Sequence, residues 1–139
     1  MKLTFEQLKA VTTGAAEVFE ENGQVRFHRF TREQNDLYRN TVKWFDPDGE
    51  GSRKEFHERS LSTAGVKLSF RTNSAALTLK TEVTRGTTAT FFAFDLCVDG
   101  VRVDSLDNYS NAPLPEPYTE GVYPLGRFEK TFDLGEGDK

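Results

Sequence analysis

Apolar and polar residues alternate along much of the second half of the chain. Residues 66–70, 77–83 and 92–98 place Val, Leu or Phe mostly at every second position, and shorter runs at 101–103 and 128–134 repeat the pattern. Successive side chains of a strand point to opposite faces, so a period of two predicts strands with one apolar face. Together with two runs in the first half, the pattern predicts six to eight short strands.

Asn-Gly and Asp-Gly pairs mark tight turns between such runs. Asn22-Gly23 separates two runs in the first half, and Asp99-Gly100 follows the run at 92–98. Both central residues of a type I′ turn have positive φ, which Asn, Asp and Gly tolerate best. We therefore predict a β-hairpin at each pair.

Two short helices are predicted from capping boxes. Thr4 precedes Gln7 by three residues, as Thr31 precedes Gln34. In this arrangement each side chain satisfies the backbone N–H of the other residue, which fixes the start of a helix. The predicted helices cover about 5–9 and 31–39.

These elements predict an all-β fold, an antiparallel β-sandwich or jelly roll with one or two short helices. Residues 40–60 lack periodicity and are predicted to form a polar loop. Residues 111–124 hold four of the five prolines and are predicted to form an irregular loop that crosses one end of the sandwich. Since the strand pattern resumes after it, residues 1–139 are expected to form a single domain.

Composition and charge exclude several classes of function. The net charge of −4 and the pI near 5.3 argue against a nucleic-acid-binding protein or a polybasic membrane anchor. The longest uncharged run, residues 86–94, is nine residues long, whereas a membrane-spanning helix needs about 20. The single Cys excludes an internal disulfide and a multi-Cys zinc site. No signal-peptide pattern opens the chain, so a cytoplasmic location is expected.

Neither a metal site nor a catalytic constellation emerges from the sequence. Residues 46–51 begin like a calcium loop, but the twelfth position is His57 instead of Glu, and Arg53 and Lys54 would repel a cation. A solvated turn is therefore expected there. His28 and His57 are the only histidines and show no ligand spacing, so no metal or cofactor is predicted. No Gly-x-Ser-x-Gly motif is present to expose a nucleophile.

Cys97 lies between Leu96 and Val98 in an apolar strand. No neighbouring cation would lower the pKa of its thiol. We therefore expect a buried, unreactive side chain.

One polar and aromatic set is suited to binding a ligand. Asp107, Asn108 and Tyr109 follow a predicted strand, and Trp44, the only Trp, could join them in space. Carboxylate, amide and ring together suit hydrogen bonding and stacking with a sugar. The alternative is a turn at a strand end, where Asp and Asn are favoured for their backbone hydrogen bonds.

Three stretches, 62–72, 92–100 and 132–137, resemble the N-terminal β-sandwich domain that precedes the catalytic domain in SGNH-type (GDSL-like) esterases and lipases. The family signature is Gly-x-Asp-Leu-Tyr before a Val-Asn/Asp-Gly turn. Here the corresponding residues are Ala93-Phe94-Asp95-Leu96-Cys97, which differ at the first and last positions. The similarity extends over nearly the whole chain, and its motifs are structural.

The resemblance implies a noncatalytic accessory domain whose partner is a catalytic domain beyond residue 139. The family's Gly-Asp-Ser block is absent, since Lys139 follows Gly137-Asp138, and no Asp stands three residues before either His. No catalytic residue is therefore assigned. A carbohydrate or acyl ester is the expected substrate of the parent enzyme, and a homodimer through an exposed sheet edge is a further expectation. The alternative function is a carbohydrate-binding β-sandwich module, and a freestanding esterase is the third.

Overall fold

The structure, a computed structural model, describes residues 2–40, 57–86, 91–110 and 123–137. Of these residues, 42% are in strands and 19% in helices. The chain divides into two compact units, residues 1–70 and 71–139, which are considered separately below. No helix among the described residues is long and apolar enough to cross a membrane.

Unit 1 contains two capped helices, α1 (Phe5–Val11) at its start and α2 (Arg32–Asn40) after the first three strands. The Gln7 N–H donates to Thr4 Oγ1 at 3.3 Å, while the Thr4 N–H donates to Gln7 Oε1 at 2.9 Å. The same reciprocal pair precedes α2, which confirms both predicted capping boxes. Helix α1 runs two residues beyond its predicted end, and the Thr12 hydroxyl then donates to the Leu8 carbonyl.

Residues 57–60 form a further helical turn. The pattern assigned this segment to a polar loop because its charged sequence shows no apolar periodicity. The Leu61 N–H donates to the His57 carbonyl, and the Ser60 hydroxyl donates to the same oxygen. Local hydrogen bonds, instead of an apolar face, therefore support this turn.

Strands β2 (Glu17–Glu21) and β3 (Gln24–His28) form the predicted hairpin of unit 1. Asn22 and Gly23 both have positive φ, as a type I′ turn requires.

Strands β1 (Thr12–Thr13) and β4 (Lys67–Leu68) make a second, two-residue antiparallel pair in unit 1. Beside this pair the backbone at Gly14 has a φ of 79°, and a Cβ there would lie 2.5 Å from the Gly65 carbonyl oxygen. Only glycine fits this crossing.

The described residues of unit 2 form two antiparallel strand pairs. Strand β5 (Ala76–Val83) pairs along its whole length with β8 (Gly126–Asp133), and β6 (Ala93–Val98) pairs with β7 (Val101–Asp107). The predicted turn at Asp99-Gly100 joins β6 to β7, and both of its residues have positive φ. The register shifts by one residue between Leu96 and Cys97, which leaves Val103 as a bulge on β7.

The buried apolar side chains of unit 2 lie on β7 and β8. Among the described residues, Leu106 and Phe132 are the buried apolar ones, and Phe132 is only 2% exposed. The rings of Phe92 and Phe128 meet nearly edge to face, with centroids 4.7 Å apart. Phenylalanine therefore supplies the centre of this unit.

A charged side chain also links the two strand pairs of unit 2. Lys130 Nζ on β8 donates to Asp104 Oδ1 at 2.7 Å and to the Ser105 carbonyl at 2.6 Å, both on β7. The hydrogen bond from Lys130 holds the pKa of the Asp104 carboxyl below its ordinary value.

The mostly-β class with antiparallel pairing and short helices is thus confirmed. The described residues form two-stranded sheets and three short helices, instead of the larger sheets and one or two helices expected. Pairings such as β5 with β8 depend on tertiary contacts that alternation along one strand does not specify. The β-sandwich or jelly roll, and the single domain over 1–139, stay predictions.

Candidate functional site

The predicted ligand-binding residues of unit 2 lie at one end of its strands. Ala93 at the start of β6 pairs with Asp107 at the end of β7, and Asn108 and Tyr109 follow directly. The structure therefore places Asp107, Asn108 and Tyr109 together. Trp44, the fourth predicted residue, and the loop at 46–51 lie outside the described residues.

Asn108 is buried and joins two chain segments. Its Oδ1 accepts a hydrogen bond from the Phe92 N–H at 3.0 Å, and its Nδ2 donates to the Pro124 carbonyl at 2.9 Å. Phe92 lies just before β6, and Pro124 lies just before β8. Asn108 therefore fixes the approach to both strands, and its polar atoms serve the fold.

Asp107 organises the turn that follows β7. Its Oδ1 accepts hydrogen bonds from the backbone N–H groups of Tyr109 (3.1 Å) and Ser110 (2.7 Å). Its Oδ2 accepts one from the Ser110 hydroxyl at 2.5 Å. The side-chain bond from Ser110, followed by the backbone bonds, holds the pKa of the Asp107 carboxyl below its ordinary value. Asp107 thus stays ionised near neutral pH. Its hydrogen bonds form a turn at the end of the strand, which is the alternative to ligand binding predicted from the sequence.

Three aromatic rings surround this turn. The centroid of Tyr109 lies 6.4 Å from that of Phe91 and 6.5 Å from that of Tyr123, at interplanar angles of 85° and 75°. Phe91 is 62% exposed and Tyr109 is 39% exposed. We call Phe91, Tyr109 and Tyr123 the aromatic end of unit 2.

Sequence reasoning identified Tyr109 but missed Phe91 and Tyr123. Tyr123 is 14 residues from Tyr109 in a proline-rich segment, so no local spacing connects them. Phe91 lies next to Phe92 in an apolar run, a pattern that is typical of core residues. The hydrogen bonds of Asn108 are what bring the three segments together.

A row of polar side chains crosses β6 and β7 toward the aromatic end. Arg102 Nε donates to Asp95 Oδ1 at 2.7 Å, and Arg102 Nη2 donates to Ser105 Oγ at 3.1 Å. Ser105 Oγ in turn lies 3.4 Å from Asp107 Oδ2. The hydrogen bond to Asp95, with its charge, raises the pKa of Arg102. We call Asp95, Arg102, Ser105 and Asp107 the polar row.

His28 lies in unit 1 against groups that favour its neutral form. Its ring meets that of Phe19 edge to face at 4.8 Å, and Asn35 Nδ2 lies 3.2 Å from Nδ1. Burial lowers the pKa of His28, although Glu17 and Glu21 oppose this effect and Arg32 adds to it. His28 therefore packs as a neutral side chain.

The other histidine also has protein partners. His57 Nε2 lies 3.4 Å from Arg39 Nη2. Over the part of the chain that the structure describes, no three His, Cys, Asp or Glu side chains gather as metal ligands would.

Cys97 is exposed, so the prediction of a buried thiol was wrong. On β6 it shares a face with Asp95, while Leu96 and Val98 lie on the more buried face. Adjacent side chains of a strand point to opposite faces, so Cys97 points away from Leu96 and Val98. The prediction failed because it took the environment of Cys97 from its sequence neighbours instead of from the face that it shares with Asp95.

Comparisons of the chain with protein-family models, curated proteins and solved structures find no match.

Proposed function

We propose that this chain is a noncatalytic accessory domain, of β-sandwich or jelly-roll type, in an SGNH- or GDSL-like acyl-ester hydrolase. It packs on a catalytic domain of the parent chain and shapes access of the substrate. The proposal is supported by the resemblance of residues 62–72, 92–100 and 132–137 to that family of domains. Residues 92–100 form β6 and its turn, and residues 132–137 include the end of β8.

The exposure of apolar residues on β7 is the structural observation that carries this proposal. Val101 and Val103, on either side of Arg102, are 64% and 54% exposed. Apolar β-branched side chains on a strand next to the family-like stretch are suited to burial against another protein surface. The catalytic domain is the occupant that the resemblance implies.

The coding sequence downstream of Lys139 provides the first test. We expect it to encode a Gly-Asp-Ser block and, further on, an Asp-x-x-His block. A downstream sequence with neither block would refute the proposal.

The second test measures ester hydrolysis by the parent chain with p-nitrophenyl acetate. A Val101→Glu/Val103→Glu double variant should lower the temperature at which activity is lost, because two carboxylates would be buried against the catalytic domain. The matched control is Leu37→Glu, at a 66% exposed position of α2. Equal inactivation temperatures for the two variants would contradict packing through β7.

Light scattering on residues 1–139 tests whether a second copy of the chain, instead of a catalytic domain, covers Val101 and Val103. A dimer that the double variant dissociates and Leu37→Glu leaves intact would assign β7 to self-association instead.

A further inference from the structure

The aromatic end of unit 2 differs from the other phenylalanine contacts of that unit. Phe92 packs against Phe94 and Phe128, and Phe132 is buried. Phe91 is more exposed than any of these, although it adjoins Phe92. Since neighbouring side chains in extended backbone point to opposite sides, anchoring Phe92 in the core directs Phe91 outward.

A buried amide holds the backbone beside two rings of the aromatic end in place. Asn108 fixes the backbone of Phe92 and of Pro124, which are the chain neighbours of Phe91 and Tyr123. Asp107 fixes the backbone of Tyr109 between them. A hydrogen-bonded side chain therefore holds the backbone of Tyr109 and of the residues next to Phe91 and Tyr123, which reduces the ordering cost of binding.

The chemistry around the rings favours one class of ligand. The polar row offers carboxylate, hydroxyl and guanidinium groups next to the aromatic end, and its two carboxylates outnumber its single cation. This balance disfavours anionic ligands such as phosphates and fatty acids. A neutral ligand with an apolar face for the rings and hydroxyls for the polar row meets both requirements.

We propose that Phe91, Tyr109 and Tyr123 form a binding site for a neutral saccharide, with Asn108 and Asp107 as positioning residues. Sugar C–H groups pack on these rings, and sugar hydroxyls exchange hydrogen bonds with Asp95, Arg102 and Ser105 of the polar row. This site goes beyond the accessory role and does not depend on it.

Titration calorimetry of the chain with cellohexaose, xylohexaose and mannohexaose tests this site. At least one of these neutral probes should bind. Phe91→Leu and Tyr109→Ala should each weaken binding about three- to tenfold, which is the effect of losing one aromatic contact. Tyr109→Phe, which keeps the ring, should retain most of the affinity. Leu37→Ala, at a 66% exposed apolar position of α2, should leave binding unchanged.

Several outcomes would overturn the proposal. These are no binding of any of the three hexaoses at millimolar concentration, or equal affinity of wild type, Phe91→Leu and Tyr109→Ala. Ring-dependent binding of decanoate in place of the sugars would assign the aromatic end to an acyl chain. Circular dichroism checks that each variant is folded. If Tyr109→Ala does not fold, Phe91→Leu still tests the site, because it removes a ring but keeps an apolar side chain.

Discussion

The buried amide of Asn108 gives the sharpest test of how unit 2 is assembled. The side chain is only 9% exposed and bonds both the Phe92 N–H and the Pro124 carbonyl. Asn108→Ala leaves both backbone groups without this partner. A buried polar group without a partner costs about 1–3 kcal/mol, so we expect a loss of about 2–4 kcal/mol in the free energy of unfolding.

Urea denaturation followed by circular dichroism measures this loss. Asn73→Ala is the matched control, because Asn73 is an exposed residue of the same unit. Its effect should stay within about 0.5 kcal/mol. A similarly small effect of Asn108→Ala would refute the reasoning, since it would mean that water replaces both hydrogen bonds at no cost.

Hydrogen exchange separates the two bonds. In Asn108→Ala the amide of Phe92 loses its acceptor, and a local loss of about 2 kcal/mol speeds its exchange roughly 30-fold. Asn108→Asp keeps an acceptor for that amide but faces the Pro124 carbonyl with an oxygen. It should therefore preserve protection at Phe92 while still destabilising the unit. Unprotected Phe92 in the wild type would show that the bond does not form.

Phe132→Ala should cost about 3–5 kcal/mol in urea denaturation, because the ring is almost fully buried; a cost below about 1 kcal/mol would contradict its place in the core. Gly14→Ala should destabilise unit 1 more than Gly65→Ala, since both have positive φ but only the Cβ at Gly14 meets a backbone oxygen. Equal unfolding midpoints would refute that close contact. The pKa of His28 is lower in the folded protein than in the unfolded chain, so the unfolded chain binds a proton more readily. The neutral His28 therefore contributes fully to the free energy of unfolding above about pH 6.5, the ordinary pKa of His. This contribution is lost as the pH falls through the folded pKa. His28→Gln should lose less stability than wild type between pH 7.5 and pH 5.5, and equal losses would contradict it.

Local features of the fold were predictable because their determinants lie within a few residues. Thr4 and Thr31 start helices through reciprocal bonds three residues apart, and Asn22-Gly23 supplies the positive φ values of its turn. The alternation on β6 gave the correct faces, yet Cys97 was assigned to the wrong environment. The more buried face is the apolar one that the alternation predicts, and Cys97 lies on the opposite face with Asp95.

The candidate site was predictable only in part. Asp107, Asn108 and Tyr109 are adjacent in the chain, so the sequence alone could group them. Their different roles could not be predicted, because a carboxylate or an amide forms the same hydrogen bonds with a ligand as with the backbone. The partners of Asn108 lie 16 residues away on each side, and no local pattern encodes such bonds.

By itself, the sequence determined a mostly-β protein with capped helices, tight hairpin turns and an acidic surface, since propensity, turn chemistry and charge act over short distances. The tertiary structure decided that β5 pairs with β8, that Lys130 links the two strand pairs of unit 2, and that Phe91 and Tyr123 flank Tyr109. Those outcomes depend on which apolar faces meet and which buried polar atoms find partners. Both are properties of the packed chain, and for that reason the aromatic end appears only in three dimensions.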